Sequence, residues 1–258
     1  MLLKMTLQAE KPSFCLPIHY NYLLQSALYR LLDPDFARFL HNEGYMYGKR
    51  SFRLFTFSQL LGKYRLIKEQ KQICFQGQVK LRVHSPLAPF CQSIMNTLLL
   101  EEGIRLGQAR LNVIEIECTQ PDINKDTLLV QTLSPITVYS TMFRPDGRKF
   151  THYYQPRDSE FSEHIRNNLL KKFELVYQSV PSSTRLHIEP LGQTKERIVL
   201  YKGFVIKGHI GQFQLWAEDR RFLSLALDAG IGSKGSQGFG CVEPVASSSG
   251  GDQINRIG

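Results

Sequence analysis

Cysteine is scarce in this chain of 258 residues, and its positions are scattered. The five cysteines are odd in number and never form a C-x-x-C pair. They are Cys15, Cys74, Cys91, Cys118 and Cys241. This spacing argues against both a zinc site and a disulfide framework. We therefore expect all five to be reduced, buried, small apolar side chains of a cytoplasmic protein.

A long hydrophobic run is also missing. No window approaches eighteen uninterrupted apolar residues, and the first six residues (MLLKMT) lack the apolar core of a secretory signal. The sequence therefore predicts neither a membrane span nor export.

Acidic residues are fewer than basic ones. The chain has 23 Asp and Glu but 32 Lys and Arg, which gives a formal net charge of +9 at pH 7. This surplus favours a polyanionic partner, nucleic acid or an anionic membrane surface, over small-molecule chemistry. Solubility is an alternative explanation for part of it. The length and the 42% hydrophobic content suffice for one large or two small domains, each with its own core.

Glycine, by contrast, is concentrated in residues 230–240, GIGSKGSQGFG. Repeated glycine permits positive φ, and successive free N–H groups form a concave anion site to which Lys234 adds a charge. The start fits G-x-G-x-x-G, but a helix precedes it and a strand follows, the reverse of a dinucleotide fingerprint. We therefore expect the segment to bind the phosphate backbone of RNA. A flexible connector is the alternative, against which Phe239, between two glycines, indicates an anchored position. The expected contact residues are Gly230, Gly232, Ser233, Lys234, Gly235, Ser236, Gly238 and Gly240.

Three side chains suited to proton transfer come from neighbouring elements near the start of the chain. Asp33 and Pro34 separate two helices, as N-cap and first helical residue of the second, and Gly44 is the expected end of that second helix. Tyr29 lies on the first helix, the period of the second turns His41 away from the core, and Lys49 follows it. A phenol, an imidazole and an ammonium can together exchange protons and stabilise an anion. A solvated histidine beside ordinary surface cations is the alternative.

Further basic surfaces are predicted on a strand, a hairpin and a helix. Alternation in residues 79–84 puts Lys80, Arg82 and His84 on one face, which is either an RNA surface or a solvated one. A turn at residues 144–147 joins two strands in which cations and aromatic side chains alternate, as single-stranded RNA requires; a hairpin with core aromatics is the alternative. The cations in question are Arg144, Arg148 and Lys149. In the helix that begins near Ser159, we expect Arg166, Lys171 and Lys172 on the outer side.

The order of predicted elements is βαββαβ, and it occurs twice. This order indicates an α+β fold of two tandem ferredoxin-like domains of the RNA-recognition type, with the glycine-rich segment before the last strand. The polar stretch at residues 121–126 predicts a boundary between domains 1–122 and 123–246. Residues 247–258 are rich in Ser and Gly and are predicted to be disordered.

Five sequence blocks resemble one family. They are LPIHYN (residues 16–21), FLHNEGY (39–45), FRLFTFS (52–58), LSPI (133–136) and the terminal GFG (238–240). With them the chain resembles, over nearly its whole length, the CRISPR-associated endoribonucleases of the RAMP superfamily, which cut the precursor repeat transcript into guide RNAs.

The resemblance implies a prokaryotic, cytoplasmic enzyme without a cofactor. Cleavage is then independent of metal and driven by the RNA's own 2′-hydroxyl, giving a 2′,3′-cyclic phosphate and a 5′-hydroxyl. His41 corresponds to the catalytic histidine, with Tyr29 and Lys49 as its companions; Arg50 is an alternative to Lys49 and a further RNA contact. No carboxylate cluster suggests a two-metal site.

The same resemblance names the partners. They are CRISPR repeat RNA and, as a further option, other CRISPR-associated effector subunits, with the chain a monomer or homodimer. Two alternatives stay open: a catalytically inactive subunit that holds repeat or guide RNA, and a housekeeping RNA-binding module of the same double-sandwich type.

Overall fold

The computed structural model describes residues 1–101 and 103–245 and shows a mixed α/β fold. The predicted disordered tail lies outside the described residues. The helices are α1 (Asn21–Arg30), α2 (Pro34–Asn42), α3 (Ala88–Glu101), α4 (Ser159–Tyr177) and α5 (Arg221–Ala229), with a 3-10 turn at Gly235–Gln237. The strands are β1 (Leu2–Pro17), β2 (Tyr45–Tyr47), β3 (Arg50–Phe52), β4 (Thr56–Phe57), β5 (Leu61–Ile67), β6 (Gln72–His84), β7 (Gly103–Leu106), β8 (Ala109–Thr119), β9 (Thr127–Thr132), β10 (Tyr139–Phe143), β11 (Lys149–Tyr153), β12 (Leu186–Tyr201), β13 (Phe204–Ala217) and β14 (Val242–Pro244).

The first half of the chain forms one antiparallel sheet with the order β4-β6-β1-β8-β7, and β5 pairs with β6. Alternating apolar residues of β1 and β6, such as Met5 and Leu81, are fully buried against α1, α2 and α3. Period-two alternation thus makes one face of the sheet the wall of a hydrophobic core.

The second half forms a four-stranded sheet with the order β12-β13-β9-β14. Helices α4 and α5 cover it, and their stripe residues Phe161, Ile165 and Leu223 are fully buried. Two hairpins, β2–β3 and β10–β11, stand apart from both sheets as separate two-stranded units.

The ends of α2 follow the sequence signals. The side chain of Asp33 accepts bonds from the amides of Asp35 and Phe36, both at 3.1 Å, and Pro34 occupies the first turn. Gly44 ends the helix with φ +65° and donates to the carbonyl of Phe39 at 2.8 Å. The last turn of α2 therefore has a fixed orientation.

Residues with positive φ separate two pairs of strands. β12 ends at Tyr201 and β13 starts at Phe204, with Lys202 (φ +47°) and Gly203 (φ +83°) as the turn between them. β3 and β4 are separated at Leu54, which adopts φ +52°. Positive φ interrupts a strand in both places.

The prediction that all cysteines are reduced and buried was wrong. Cys15 and Cys74 are directly opposite each other in the β1–β6 register and form a disulfide, with Cα atoms 4.0 Å apart. Because 59 residues separate them, only the strand register brings them together. Of the free cysteines, Cys91 and Cys241 are buried, as expected, but Cys118 is exposed.

The predicted basic face of β6 was wrong at His84, which is only 1% exposed. Its Nδ1 lies 3.1 Å from the carbonyl oxygen of Leu227, because α5 covers this end of the strand. Burial lowers the pKa of His84 to about 3, while the bond to Leu227 acts in the opposite direction. His84 is therefore a neutral core residue.

None of the helices described is long and apolar enough to cross a membrane.

Candidate active site

A cleft of about 1270 Å³ lies where α1, α2 and the β2–β3 hairpin face α4, the start of β10 and the glycine-rich segment. Its wall holds six cations: Arg38, Arg50, Arg53, Lys172, Lys202 and Lys234. Among the described residues of the wall there is no Asp or Glu. A cleft with one sign of charge concentrates the field, so this one attracts polyanions.

Tyr29 and His41 are neighbours in this wall, as the sequence predicted. Their rings meet edge to face, with centroids 6.1 Å apart and planes at 84°. His41 is exposed, and its Nδ1 lies 2.9 Å from Asn42 Oδ1. Because an amide oxygen only accepts, this bond places a proton on Nδ1 and leaves Nε2 of the neutral ring as an acceptor.

Burial raises the pKa of the Tyr29 phenol, and the charge and hydrogen bond of Arg53 offset part of that rise. A phenol with a raised pKa keeps its proton at neutral pH. Tyr29 is therefore a hydrogen-bond or proton donor beside the imidazole.

Arg53, which was not predicted as a site residue, lies beside Tyr29 and binds the backbone of His41. Its guanidinium donates to the carbonyls of Leu40 (2.8 Å) and His41 (2.8 Å) and to Ser51 Oγ (2.6 Å). It thus satisfies the last carbonyls of α2 and fixes the turn that carries His41. Arg53 belongs to the FRLFTFS block, but its role depends on contacts across the chain that no local pattern reveals.

Lys49 and Arg50, at the β2–β3 hairpin, differ in their position relative to the cleft. Lys49 is in the exposed two-residue turn with Gly48 and is not part of the cleft wall, whereas Arg50 is. Of these two cations, Arg50 therefore shares the cleft wall with His41 and Lys49 does not.

The glycine-rich segment is packed and hydrogen-bonded, which rules out the flexible-connector alternative. Phe239 is fully buried, as expected. Three side chains from the first half bind the carbonyl oxygens of the segment. The bonds run from Asn21 Nδ2 to Gly238 (3.2 Å), from Gln25 Nε2 to Ser236 (2.6 Å) and from Thr56 Oγ1 to Phe239 (2.9 Å).

These bonds bring four of the five sequence blocks into contact in the folded chain. Asn21 belongs to the first block, Thr56 to the third, and both bind the terminal GFG. In the LSPI block, the carbonyl of Pro135 accepts from the amide of Gly240 (2.9 Å). The remaining block forms the end of α2 and carries His41.

At each glycine of this segment, the space that a Cβ would fill is taken by neighbouring atoms of the protein and is not free for a phosphate. A Cβ would lie 2.9 Å from Thr56 Cγ2 at Gly230, 2.6 Å from Thr137 O at Gly232, 2.8 Å from Phe55 O at Gly235 and 2.5 Å from Phe57 Cε2 at Gly238. A Cβ on Gly240 would overlap the Ile231 carbonyl. Each glycine thus permits close approach of the segment to its neighbours.

The middle of the segment faces the cleft. Gly232, Ser233, Lys234, Gly235 and Ser236 are in the wall, while Gly230, Gly238 and Gly240 are buried outside it. Lys234 has a left-handed backbone (φ +63°), and its Nζ lies 5.0 Å from the centroid of the Tyr139 ring. This central part is the portion of the segment that a ligand in the cleft can reach.

The tip of the predicted basic hairpin is outside the cleft wall. Of the described hairpin residues, those in the wall are Tyr139, Ser140 and Thr141 of β10. Arg144 lies over Phe150 (5.9 Å) and Lys149 over Phe143 (5.7 Å).

Arg148, at the same tip, pairs with Asp146 at 2.7 Å, so its charge is largely balanced. The hairpin itself was predicted correctly; its role in RNA binding stays a prediction.

An aromatic group at the far end of the cleft was missed as a site. Lys202 Nζ lies 4.4 Å from the centroid of the Tyr22 ring, and Tyr22 meets Tyr201 edge-on with centroids 6.2 Å apart. The hydroxyl of Tyr201 donates to Gln25 Oε1. The sequence signal that could have predicted this group is Lys202, a cation between Tyr201 and Gly203 in a hairpin turn.

Lys172 was predicted on the outer side of α4 and is instead 5% exposed. Its Nζ donates to the carbonyls of Ala229 (3.1 Å) and Gly230 (2.7 Å). The prediction was wrong because α5 and the glycine-rich segment cover that side of α4.

In residues 1–101 and 103–245, no three His, Cys, Asp or Glu side chains come together as a metal-ligating group.

Known proteins with related sequences cover nearly the whole chain. The family model described as CRISPR-associated protein Cas6, N-terminal, matches residues 15–117, and that described as CRISPR associated protein Cas6, C-terminal, matches residues 118–244. The chain is similar to CRISPR-associated endoribonuclease Cas6 1 of Methanocaldococcus jannaschii, with 28% identity over 94% of this chain and 93% of that protein.

Solved structures show the same fold. One described as a Cas6-related gene from Pyrococcus furiosus has a TM-score of 0.80 at 21% identity, covering 96% of this chain and 99% of that one. Another, described as CRISPR associated protein Cas6, has a TM-score of 0.77 at 28% identity, covering 95% and 99%.

Proposed function

The chain belongs to the Cas6 family of CRISPR-associated proteins, and from this premise we propose that it is an endoribonuclease that cuts precursor CRISPR RNA within its repeats. The observation that carries the proposal is the cleft, in which Tyr29 and His41 adjoin one another in a wall of six cations. The similarity to a protein named as an endoribonuclease supports it.

The reaction we propose is attack of a ribose 2′-oxygen on the adjacent phosphorus. The O2′–P bond forms, the P–O5′ bond breaks, and the products are a 2′,3′-cyclic phosphate and a 5′-hydroxyl. One proton must leave O2′ and one must reach O5′. Positioned side chains typically contribute about 10²–10⁴-fold to such transfers.

His41 and Tyr29 are suited to opposite halves of this exchange. Nε2 of His41 is the free acceptor of the neutral ring, so it takes the proton from O2′. Tyr29 is a protonated phenol at neutral pH, and burial raises its pKa further, so of the two side chains it is the one that carries a proton to donate toward O5′. Neither step requires a metal, and the lack of carboxylates in the described wall supports a route through the RNA's own hydroxyl.

Arg50 and Arg53 supply positive charge where the pentacoordinate phosphorane becomes more negative. Arg53 also holds the turn that carries His41. Lys49 would have to reorient from its hairpin turn to take part. Ser233 and Lys234 contact the phosphates on the opposite wall.

We also propose that the two sheets are tandem ferredoxin-like domains, divided near residues 122 and 123. The second sheet supports this, since β9, α4, β12, β13, α5 and β14 follow one another as βαββαβ, with the sheet order β12-β13-β9-β14. In the first sheet, β1 and β6 are likewise the central pair.

One incubation tests the proposal. Purified protein is mixed with RNA of its own CRISPR repeat, with and without EDTA, and the product ends are identified. We expect cleavage at one position in both samples, with a cyclic phosphate and a 5′-hydroxyl. RNA that is bound but never shortened would instead identify a silent RNA-holding subunit.

A further inference from the structure

Lys172 is a buried cation that the proposed reaction does not use. It lies on α4, and its ammonium reaches the carbonyls of Ala229 and Gly230 at 3.1 and 2.7 Å, with that of Gly232 at 3.5 Å. These carbonyls are the end of α5 and the beginning of the glycine-rich segment. The side chain thus joins one helix to the segment that faces the cleft.

The charge of this ammonium is not neutralised by an acidic partner. Within the described residues, no Asp or Glu oxygen lies within 4.0 Å of Lys172 Nζ. Its partners are carbonyl dipoles at the negative end of α5, which favour a cation but carry no net charge. When Lys172 is protonated, it therefore places a net positive charge in the wall of the cleft.

Holding a charge here is costly to the fold. Burial lowers the pKa of Lys172 to about 7, so the ammonium has lost most of its hydration. Apolar residues of similar size commonly fill such positions at no loss of stability. The ammonium therefore requires an explanation other than stability of the fold.

The location supplies that explanation. Lys172 shares the cleft wall with Ser233 and Lys234, the side chains that we propose contact the phosphates. The bonded carbonyls immediately precede them in the chain. Fixing those carbonyls fixes the direction in which the amides and side chains of residues 233–236 point.

We propose that Lys172 is a positioning residue, whose ammonium holds the start of the glycine-rich segment and places a net positive charge beneath the phosphate-binding part of the cleft. This inference rests on the proposed function. It names a residue that acts through the segment rather than by touching the reacting atoms.

The test compares Lys172→Met with Lys171→Met, which removes the same charge one position away on α4, outside the cleft wall. Lys172→Gln is the second variant, because its amide still donates a hydrogen bond but carries no charge.

Three quantities are measured. Hydrogen exchange of residues 230–237 is measured in the free proteins. Affinity is measured with repeat RNA that carries one 2′-deoxy nucleotide at the cut site, and thermal midpoints are recorded at pH 6.

We expect the amides of residues 230–237 to exchange about tenfold faster in Lys172→Met, and RNA to bind about tenfold more weakly, because the charge-assisted hydrogen bonds to Ala229 and Gly230 are lost. Its thermal midpoint should equal or exceed that of the wild type, because a costly buried charge is gone. Lys172→Gln should lose affinity with a smaller change in exchange, and Lys171→Met should stay within about twofold of wild type.

Two results would overturn the inference. In one, exchange and affinity of Lys172→Met match the wild type. In the other, its midpoint falls and all amides exchange faster, which is the signature of a structural residue. Failure of the proposed function is distinguishable, since wild-type protein would then neither bind nor cut the repeat RNA, while the exchange comparison would still report on Lys172.

Discussion

The ring of Tyr29 meets the ring of His41 edge to face at a centroid distance of 6.1 Å. The first comes from α1 and the second from the last turn of α2, so the pair depends on how the two helices pack. Asp33 and Gly44 fix the ends of α2, and Arg53 binds its last carbonyls. The pair is thus held by backbone geometry rather than by a bond between the rings.

Replacing His41 with Ala should lower the single-turnover rate of repeat-RNA cleavage by about 10²–10⁴-fold, because the acceptor for the O2′ proton is removed. RNA affinity should stay within about twofold, since the cations of the wall are intact. Quenched-flow cleavage and gel-shift titration measure the two quantities. His187→Ala, at an exposed histidine outside the wall, is the control. An unchanged rate in His41→Ala would remove His41 from the mechanism.

Arg53→Lys should slow cleavage about tenfold or more while leaving the net charge of the cleft unchanged. A lysine cannot reproduce the planar fork that binds the carbonyls of Leu40 and His41 and also Ser51. The measurement is the rate at saturating RNA, with Arg185→Lys, at an exposed arginine outside the wall, as the matched control. If both variants cut at the wild-type rate, charge alone accounts for Arg53.

Gly232→Ala should destabilise the fold more than Gly192→Ala. Both positions have similar positive φ, +78° and +73°, so both variants carry a similar backbone strain. Only at Gly232 does a Cβ meet a backbone atom, Thr137 O at 2.6 Å, whereas nothing lies within 4 Å at Gly192. The difference between their free energies of unfolding in urea therefore isolates the cost of overpacking, about 1–3 kcal/mol. Equal values would mean that the segment adjusts freely and is not close-packed.

Stability should fall with acid through the titration of His84. Burial sets its folded pKa to about 3, below the ordinary value of 6.5, so the unfolded chain binds the proton first. The stability that the neutral ring contributes is fully present above pH 6.5. It is lost toward pH 3, at a rate that approaches about 1.4 kcal/mol per pH unit for one such group.

His84→Asn should reduce that slope, because its amide can still donate to Leu227 O but does not titrate. Urea unfolding at pH 7, 5.5 and 4.5 measures it, and His187→Asn controls for an exposed histidine. The same acid dependence in His84→Asn as in the wild type would show that other groups are responsible.

Local chemistry predicted much of this site. The Asp-Pro cap, the glycine that ends α2 and the period of its apolar residues together turn His41 outward, and each of these signals spans only a few residues. The anchored Phe239 was also evident from the sequence, since an apolar ring between two glycines is seldom free.

Contacts between the two halves were not predictable in the same way. The spacing of apolar residues in a helix predicts which side faces its own sheet, and it predicted that Lys172 is on the outer side of α4. Its burial follows from α5 and the glycine-rich segment, which lie more than 50 residues away in sequence. His84 on β6 was mispredicted for the same reason, because the covering element is α5.

The disulfide shows a similar limit for strands. Alternation predicts which face a residue takes, but it gives no register between strands that are far apart in sequence. Cys15 and Cys74 meet only because β1 and β6 pair with these two residues opposite each other. Arg53 likewise finds its partners through the fold of the hairpin against α2.

The central claim is that RNA held in this cleft is cut by its own 2′-hydroxyl. The most direct measurement is single-turnover cleavage of repeat RNA in which the nucleotide 5′ to the cut carries a 2′-deoxy sugar, in parallel with unmodified RNA. The account predicts that both RNAs bind with similar affinity and that only the unmodified one is cut. Cleavage of the deoxy RNA at the same position and at a similar rate would contradict it, because another nucleophile would then be at work.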